Sequence, residues 1–577
     1  MKISVAHTAG FCMGVQRAVE MALDASNTCH PPIYTYGPLI HNPQVLSLME
    51  DKGIRVLREI PEQGKGTVII RAHGIPLQTR EKLEKAGFCV IDATCPRVIK
   101  VQTIIRKHAA RGAACIIIGD KDHPEVIGLL GYAGKKGFVA DSLQELEEMP
   151  AFEDAIIVAQ TTQNILFYES VKKWAEQKCP HYQIFNTICD STEKRQAEAK
   201  RLAQSVDLVV VVGGHESGNT RRLAQVVREN GKRAFHVETE GEIDVEALAA
   251  AAHIGITAGA STPNWIIKRI YRAIESLPFE KQSVWRKRRL ALQRFLIRTN
   301  ICVALGAAAL CYACTVLQEI ASPFPYIVIT LFYVLSMHTL NNLTGIREAR
   351  YNDPDRSSFY DNHKIALTLL AISSGGIGLG VAAGVGMLPF LLLFAMSILG
   401  LCYNLKIIPE SAKGFRYRRI RDIPGSKTIL ISLAWGVVIG IFPVLAVWNS
   451  FRLSTMPVFV LAMSMAFVRA AFFDVLDMQG DRIMGKETIP LLLGEKLSIT
   501  FLKGLCLFIM LILFLTGAYE VFSGLSYGLI LCPFFLLLII STHKKGRVLP
   551  GIRLEFLVES QFVLSGLITL LWVLIAA

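Results

Sequence analysis

Three cysteines recur with matched surroundings in the first half of this 577-residue chain. Asp92-Ala93-Thr94-Cys95 continues through Lys100 and Gln102 to Cys115-Ile116-Ile117-Ile118-Gly119. Asn186-Thr187-Ile188-Cys189 continues through Lys194 and Gln196 to Val209-Val210-Val211-Val212-Gly213. In both, 24 residues separate cysteine from glycine. A looser copy opens the chain, with Cys12 in Gly10-Phe11-Cys12-Met13-Gly14-Val15 and a later Gly37. Three thiols, one per repeat, can hold an iron–sulfur cluster and leave one iron open to a substrate oxygen, as a catalytic zinc keeps an open position. Four residues past each glycine stand His41, His123 and Ser217, and two further on come Glu125 and Asn219. A second apolar strand in each repeat ends near His73, Thr161 and Ser261. Such a neutral and cationic donor set suits a diphosphate without a glycine-rich phosphate loop. Glu125 is the one acid at these positions, hence the candidate proton donor to a leaving hydroxyl.

The elements that must position these groups are short apolar runs alternating with amphipathic helical stretches, the signature of parallel β/α units. In such sheets ligand groups gather at the carboxyl ends of the strands, so three units facing one another would share one centre. Charges run throughout the chain as far as Phe279. From Asn300 onward the sequence becomes a series of apolar runs of about 20 residues, the length that crosses a bilayer as helix. The start, Met1-Lys2-Ile3-Ser4, lacks the pattern of a signal peptide, so the first half is expected in the cytoplasm. There the 13 cysteines favour ligation or burial over disulfides. The net charge of +13 clusters beside the apolar runs, which points to membrane topology and not to nucleic acid.

These features divide the chain into a soluble domain over 1–279, a basic amphipathic linker over 280–298 and an all-α polytopic membrane domain over 299–577. The linker contains Trp285-Arg286-Lys287-Arg288-Arg289 and then Leu290, Leu292, Phe295 and Leu296, a pattern for a helix on an anionic lipid surface. About nine spans are expected, the first near 300–318 and the fourth near 387–405. Lys413, Arg416, Arg418, Arg419, Arg421 and Lys427 mark one cytoplasmic loop, and Lys544, Lys545, Arg547 and Arg553 another.

Gly10-Phe11-Cys12-Met13-Gly14-Val15, Ala72-His73-Gly74, Asp92-Ala93-Thr94-Cys95-Pro96, His123-Pro124-Glu125-Val126, Gln160-Thr161-Thr162 and Thr257-Ala258-Gly259-Ala260-Ser261 occur in order across this half. Together they resemble the 4-hydroxy-3-methylbut-2-enyl diphosphate reductases, the LytB family. The resemblance implies an α/β trefoil of three pseudo-repeated units around a [4Fe–4S] cluster on Cys12, Cys95 and Cys189. It implies that His41, His73, His123, Ser217, Asn219 and Ser261 bind the diphosphate and that Glu125 and Thr161 manage protons. The implied reaction is a reductive dehydroxylation giving isopentenyl and dimethylallyl diphosphate, the last step of the methylerythritol phosphate pathway, with ferredoxin or flavodoxin as electron donor. Gly218 departs from the pattern, standing where many members have a second serine.

In the second half, Asp474, Asp477 and Asp481 are spaced carboxylates at a helix end, able to bind Mg²⁺ and through it a diphosphate. With Asn341-Asn342-Leu343-Thr344-Gly345 and Asn352-Asp353-Pro354-Asp355-Arg356 in another polar loop, this half resembles the UbiA family of intramembrane prenyltransferases. The resemblance implies a Mg²⁺-dependent transferase acting on a prenyl diphosphate and an unknown acceptor. The expected aspartates of the earlier motif fall on Asn342, Gly345 and Ala349, with Asp353 and Asp355 as candidate substitutes. The expected placement is multi-pass in the cell inner membrane, among membrane lipid. The alternative is a reductase whose membrane half is a non-catalytic anchor or lipid-binding scaffold.

Overall fold

Twelve short strands and the helices between them build the first half of the chain. In the computed structural model all residues are described except 1, 278–283, 347–352, 404–419, 421–422, 484–485, 487, 545–550 and 577. The chain separates into two units, Met1–Glu280 and Lys281–Ala577.

The strands are β1 (Lys2–Val5), β2 (Ile33–Tyr36), β3 (Ile54–Leu57), β4 (Thr67–Ile70), β5 (Cys89–Asp92), β6 (Ala114–Ile118), β7 (Gly137–Ala140), β8 (Ala155–Ala159), β9 (Gln183–Ile184), β10 (Leu208–Val212), β11 (Arg233–Val237) and β12 (His253–Ala258). They form three four-stranded sheets, ordered β3-β2-β4-β5, β7-β6-β8-β9 and β1-β12-β10-β11, with every recorded pairing parallel. In the first two sheets the order is second, first, third, fourth strand. Read from β11, the third sheet has the same order, but its fourth place is filled by β1 from the start of the chain. The central strands β6, β8 and β10 are buried at every position, as parallel strands covered by helices on both faces must be. Each buried Val or Ile there contributes roughly 1.5–3 kcal/mol relative to exposure.

This pairing shifts the repeat boundaries. By sequence each cysteine opens a unit that continues into the next strand run; in space it closes the preceding sheet. Cys95 follows β5, Cys189 follows β9, and Cys12 follows β1 in the sheet of β10–β12.

The second unit is helical. Seven helices are long and apolar enough to cross a membrane, or eight if the bent pair Arg288–Arg298 and Ile301–Leu317, which meet at 75°, is one span. The segments expected near 300–318 and 387–405 are helices of 17 and 16 residues, Ile301–Leu317 and Met387–Cys402. These lengths fall short of the roughly 20 residues that span hydrocarbon unaided, so the expected nine reduces to seven or eight among the described residues. The helices bury only part of their apolar surface. On Lys364–Val385, Ile365, Leu369 and Ile372 are more than 60% exposed along one face, an area that only lipid would cover. Of the expected basic loops, Lys413, Arg416, Arg418, Arg419, Arg421, Lys545 and Arg547 lie outside the described residues, as do Ala349 and Asn352.

Candidate functional site

Each of the three cysteines is the N-cap of a helix: Cys12 of Met13–Thr28, Cys95 of Pro96–Ala109 and Cys189 of Asp190–Ser205. Pro96 at the first helical position favours the start after Cys95. The Cys12 Sγ accepts the Val15 amide at 3.4 Å. All three thiols are free and line one cavity. Gly14 lets them approach, because a β-carbon there would sit 2.5 Å from the Cys95 Sγ and 4.0 Å from that of Cys12. Burial pushes the Cys95 thiol up in pKa, the Arg97 and Val98 amides draw it down, and the neighbouring Cys12 and Cys189 sulfurs push it up again.

The same cavity, about 740 Å³ including its open mouth, is lined by His41, His73, His123, Glu125, Thr161, Ser217, Asn219 and Ser261. These residues follow the first and third strands of the three sheets. Three imidazoles therefore converge, with ring centroids 4.9 Å (His41–His73), 5.3 Å (His73–His123) and 5.9 Å (His41–His123) apart. Burial lowers the pKa of each. It places His123 at about 3, helped by His41 and Arg222, and puts His73 well below the ordinary imidazole value. All three are neutral at pH 7. The Glu125 amide donates to His123 Nδ1 at 3.1 Å, which puts the imidazole proton on Nε2. The buried atoms His41 Nε2, His73 Nδ1 and Asn219 Nδ2 have no hydrogen-bond partner among the described residues. Buried polar atoms are rarely left so, and several lining one cavity mark a place for a polar ligand. Ser261 Oγ donates to the His41 carbonyl at 3.2 Å and lies 3.3 Å from Ser217 Oγ.

Glu125 is 1% exposed. The Thr161 amide donates to its Oε1 at 2.6 Å and the Thr161 hydroxyl to its Oε2 at 2.9 Å. Burial raises the pKa of the carboxyl; the Thr161 bonds and Arg222 oppose the rise without cancelling it.

Two buried arginines escaped the sequence reading. Arg195 donates to the carbonyls of Gly10 (2.7 Å) and Ala258 (3.2 Å), tying the loop before Cys12 to the end of β12. Arg222 reaches Gln163 Oε1 at 3.0 Å and Asp120 Oδ1 at 2.9 Å. Its four-residue offset from Gly218 places both on one face of the helix Gly218–Glu229, a usable signal.

In the second unit Asp474, Asp477 and Asp481 lie on the last turns of the helix Thr455–Ile483. Thr428 donates to Asp474 Oδ2 at 2.5 Å, and Lys486 stands 3.8 Å from Asp481 Oδ1. Lys427, beside Thr428, lines a largely apolar cavity of about 860 Å³ with His338, Asn341, Met337 and Trp435. Asn342 donates to Asn300 (3.2 Å) and Tyr360 (3.3 Å). The candidate substitutes are engaged elsewhere. Asp353 caps the helix Pro354–Asn362 by accepting the Arg356 amide at 3.2 Å, and Asp355 pairs with Arg298 at 3.7 Å.

Three parallel sheets sharing a cavity of thiols, imidazoles and one buried acid, followed by a polytopic helical unit, define a two-part membrane protein with a ligand-binding α/β domain. A family model described as LytB protein matches residues 3–275, and one described as the UbiA prenyltransferase family matches residues 301–548. The chain belongs to the LytB family and carries a UbiA prenyltransferase domain at its C-terminal side. It is 46% identical over 281 residues to the 4-hydroxy-3-methylbut-2-enyl diphosphate reductase of Nitratidesulfovibrio vulgaris strain Miyazaki F, covering 48% of this chain and 100% of the relative. It is 42% identical over 270 residues to the reductase of the same name from Pelobacter propionicus, covering 47% and 96%. Among solved structures, a UbiA homolog from Archaeoglobus fulgidus bound to GPP and Mg²⁺ aligns at 16% identity and a TM-score of 0.35, covering 48% of this chain and 96% of that one.

Proposed function

We propose that the first unit reduces 4-hydroxy-3-methylbut-2-enyl diphosphate to isopentenyl and dimethylallyl diphosphate, and that the second is a Mg²⁺-dependent prenyltransferase domain. The observation that carries the first half is one cavity lined by three helix-capping thiols, three neutral imidazoles and a buried Glu125–Thr161 pair. The relatives of that name, matched end to end, support the same reading.

The donor set fits an iron–sulfur cluster. Three free thiols converge on one cavity, burial and the neighbouring sulfurs push the Cys95 thiol up in pKa, and three thiolates brought this close call for a cationic centre to bind them. When bound to Cys12, Cys95 and Cys189, a [4Fe–4S] cluster supplies electrons one at a time and an iron without a protein ligand. His41, His73, His123, Ser217, Asn219 and Ser261 hold the diphosphate and orient the substrate alcohol. Glu125, whose carboxyl burial pushes up in pKa, is the proton source, and the Thr161 hydroxyl, hydrogen-bonded to its Oε2, relays the proton to the leaving oxygen. One C–O bond breaks, the oxygen leaves as water, and two electrons and two protons enter. The electrons come from an external carrier such as ferredoxin or flavodoxin.

In the second unit the apolar cavity lined by Lys427 takes the prenyl chain of a prenyl diphosphate, and Asp474, Asp477 and Asp481 hold Mg²⁺, with Asp474 bonded to Thr428 next to that lysine. The exposed Trp285, Leu292 and Phe295 of the helix Val284–Arg298 rest on lipid at the inner face of the cell inner membrane, with the first unit in the cytoplasm.

The test is anaerobic turnover of full-length protein with a one-electron dye as reductant. Formation of the two five-carbon diphosphates, lost in Cys95→Ser, is the expected result. A wild-type protein that is colourless after iron and sulfide reconstitution overturns the reading.

A further inference from the structure

Arg222 holds an unspent donor at the edge of the cavity. Its side chain is 9% exposed. Nε donates to Gln163 Oε1 at 3.0 Å and Nη2 to Asp120 Oδ1 at 2.9 Å. Nη1 is buried and has no hydrogen-bond partner among the described residues. A guanidinium carries five donors in a fixed fork, so the two bonds fix where the third nitrogen points. That place is Gly218. A β-carbon built there would lie 3.3 Å from Arg222 Nη1 and 3.5 and 3.6 Å from Cδ2 and Nε2 of His123. Gly218 and His123 both line the cavity, so the glycine leaves a notch in its wall. With no β-carbon at 218, a ligand oxygen can pack against the glycine from the cavity side and approach Nη1 and the protonated nitrogen of His123.

We propose that Arg222 is a diphosphate-binding residue of this chain, its Nη1 donating through the notch at Gly218 to a phosphoryl oxygen. The inference rests on the diphosphate reading of the cavity. The guanidinium does there what a side-chain hydroxyl at position 218 would do, and brings a full charge. The two devices share one space and are alternatives: a serine at 218 fits if the far end of Arg222 yields by a few tenths of an ångström.

The experiment is a double-mutant cycle on full-length, cluster-loaded protein. Inorganic diphosphate binding is measured by calorimetry, and cluster absorbance reports integrity. Arg222→Met is expected to weaken binding about 10–100-fold, the loss for a buried charge-assisted bond, with absorbance unchanged. Gly218→Ser alone is expected to change affinity by less than about threefold. In the Arg222→Met background it is expected to recover about tenfold, a coupling that only a shared ligand contact produces. Wild-type affinity in Arg222→Met, or no recovery in the double variant, overturns the proposal. Where Arg222→Met does not fold, Arg222→Lys, which keeps the cation but loses the fork, carries the same cycle with the same outcomes. Wild-type protein that binds no diphosphate overturns the cavity reading itself, and this inference with it.

Discussion

The candidate sites of the two units hold their polar groups in opposite ways. Around the cavity of the first unit, side chains from three sheets converge and several stay unsatisfied: His41 Nε2, His73 Nδ1, Asn219 Nδ2 and Arg222 Nη1. In the second, the aspartates lie along one helix and already have partners, Asp474 with Thr428 and Asp481 with Lys486. A rigid sheet framework keeps polar atoms aimed into the cavity, at the cost of leaving them unpaired. In the helical unit a neighbouring hydroxyl and an ammonium group take up two of the carboxylates instead. The first site is organised before binding. Mg²⁺ binding at the second would have to exchange those partners.

The sharpest way to break this contrast is at the thiols. Cys95→Ser is expected to remove cluster absorbance and all measurable turnover, since two thiolates do not hold the cluster at three helix ends; retained iron and sulfide content would refute it. Glu125→Gln comes next. It is expected to lower kcat by about 10²–10⁴-fold with KM little changed, because the amide keeps the Thr161 contact and loses the proton. Burial holds the proton on Glu125 past the pH at which an exposed glutamate loses it. The wild-type rate should therefore fall as pH rises through that elevated pKa, and the Gln variant should lack this limb.

In the second unit, Asp474→Ala is expected to weaken Mg²⁺-dependent binding of a non-reactive prenyl diphosphate analogue, measured in nanodiscs, by about 10–100-fold. Thr428→Val should have a smaller effect, because the hydroxyl is exchanged away when the cation binds. Equal losses would mean that the aspartate is held by Thr428 in the bound state too. The smallest effect is the pH dependence of diphosphate binding in the first unit. The imidazoles are neutral when free, and an anion beside them raises their pKa, so binding takes up protons. Affinity should rise severalfold from about pH 8 to about pH 6, with proton uptake visible in buffers of different ionisation enthalpy. A flat profile would show that the imidazoles bind as neutral donors throughout.

The spacing of Cys95 and Cys189 to their glycines made the repeat legible, and with it the residues at strand ends, because strand and loop lengths are local properties. The assignment of cysteines to sheets was not legible. It depends on β1 pairing with β12, with Lys2 opposite His253, a choice made by tertiary packing. Arg195 and Arg222 sit in charged helical stretches that read as solvated faces; only packing against Gly10 and Gln163 buries them. In the membrane unit the carboxylate spacing was visible, while Thr428 and Lys427 reach the aspartates through helix packing that periodicity does not encode. The span count differs at Ile301–Leu317 and Met387–Cys402, where apolar composition alone marks a span but the helices are 17 and 16 residues long.

The completion of the third sheet by β1 also sets an order of events on the ribosome. Synthesis adds about 5–20 residues per second, so the first strand and Cys12 must wait roughly 10–50 s for β12 to emerge. The other two sheets contain only strands close together in the chain and can close earlier. Assembly of the three-thiol centre is thus timed by the last strand of the soluble unit, and cluster delivery before that moment would meet only two of its three ligands in place. The first membrane helices leave the ribosome soon afterwards, which leaves a short interval between completing the reductase and committing the chain to the bilayer.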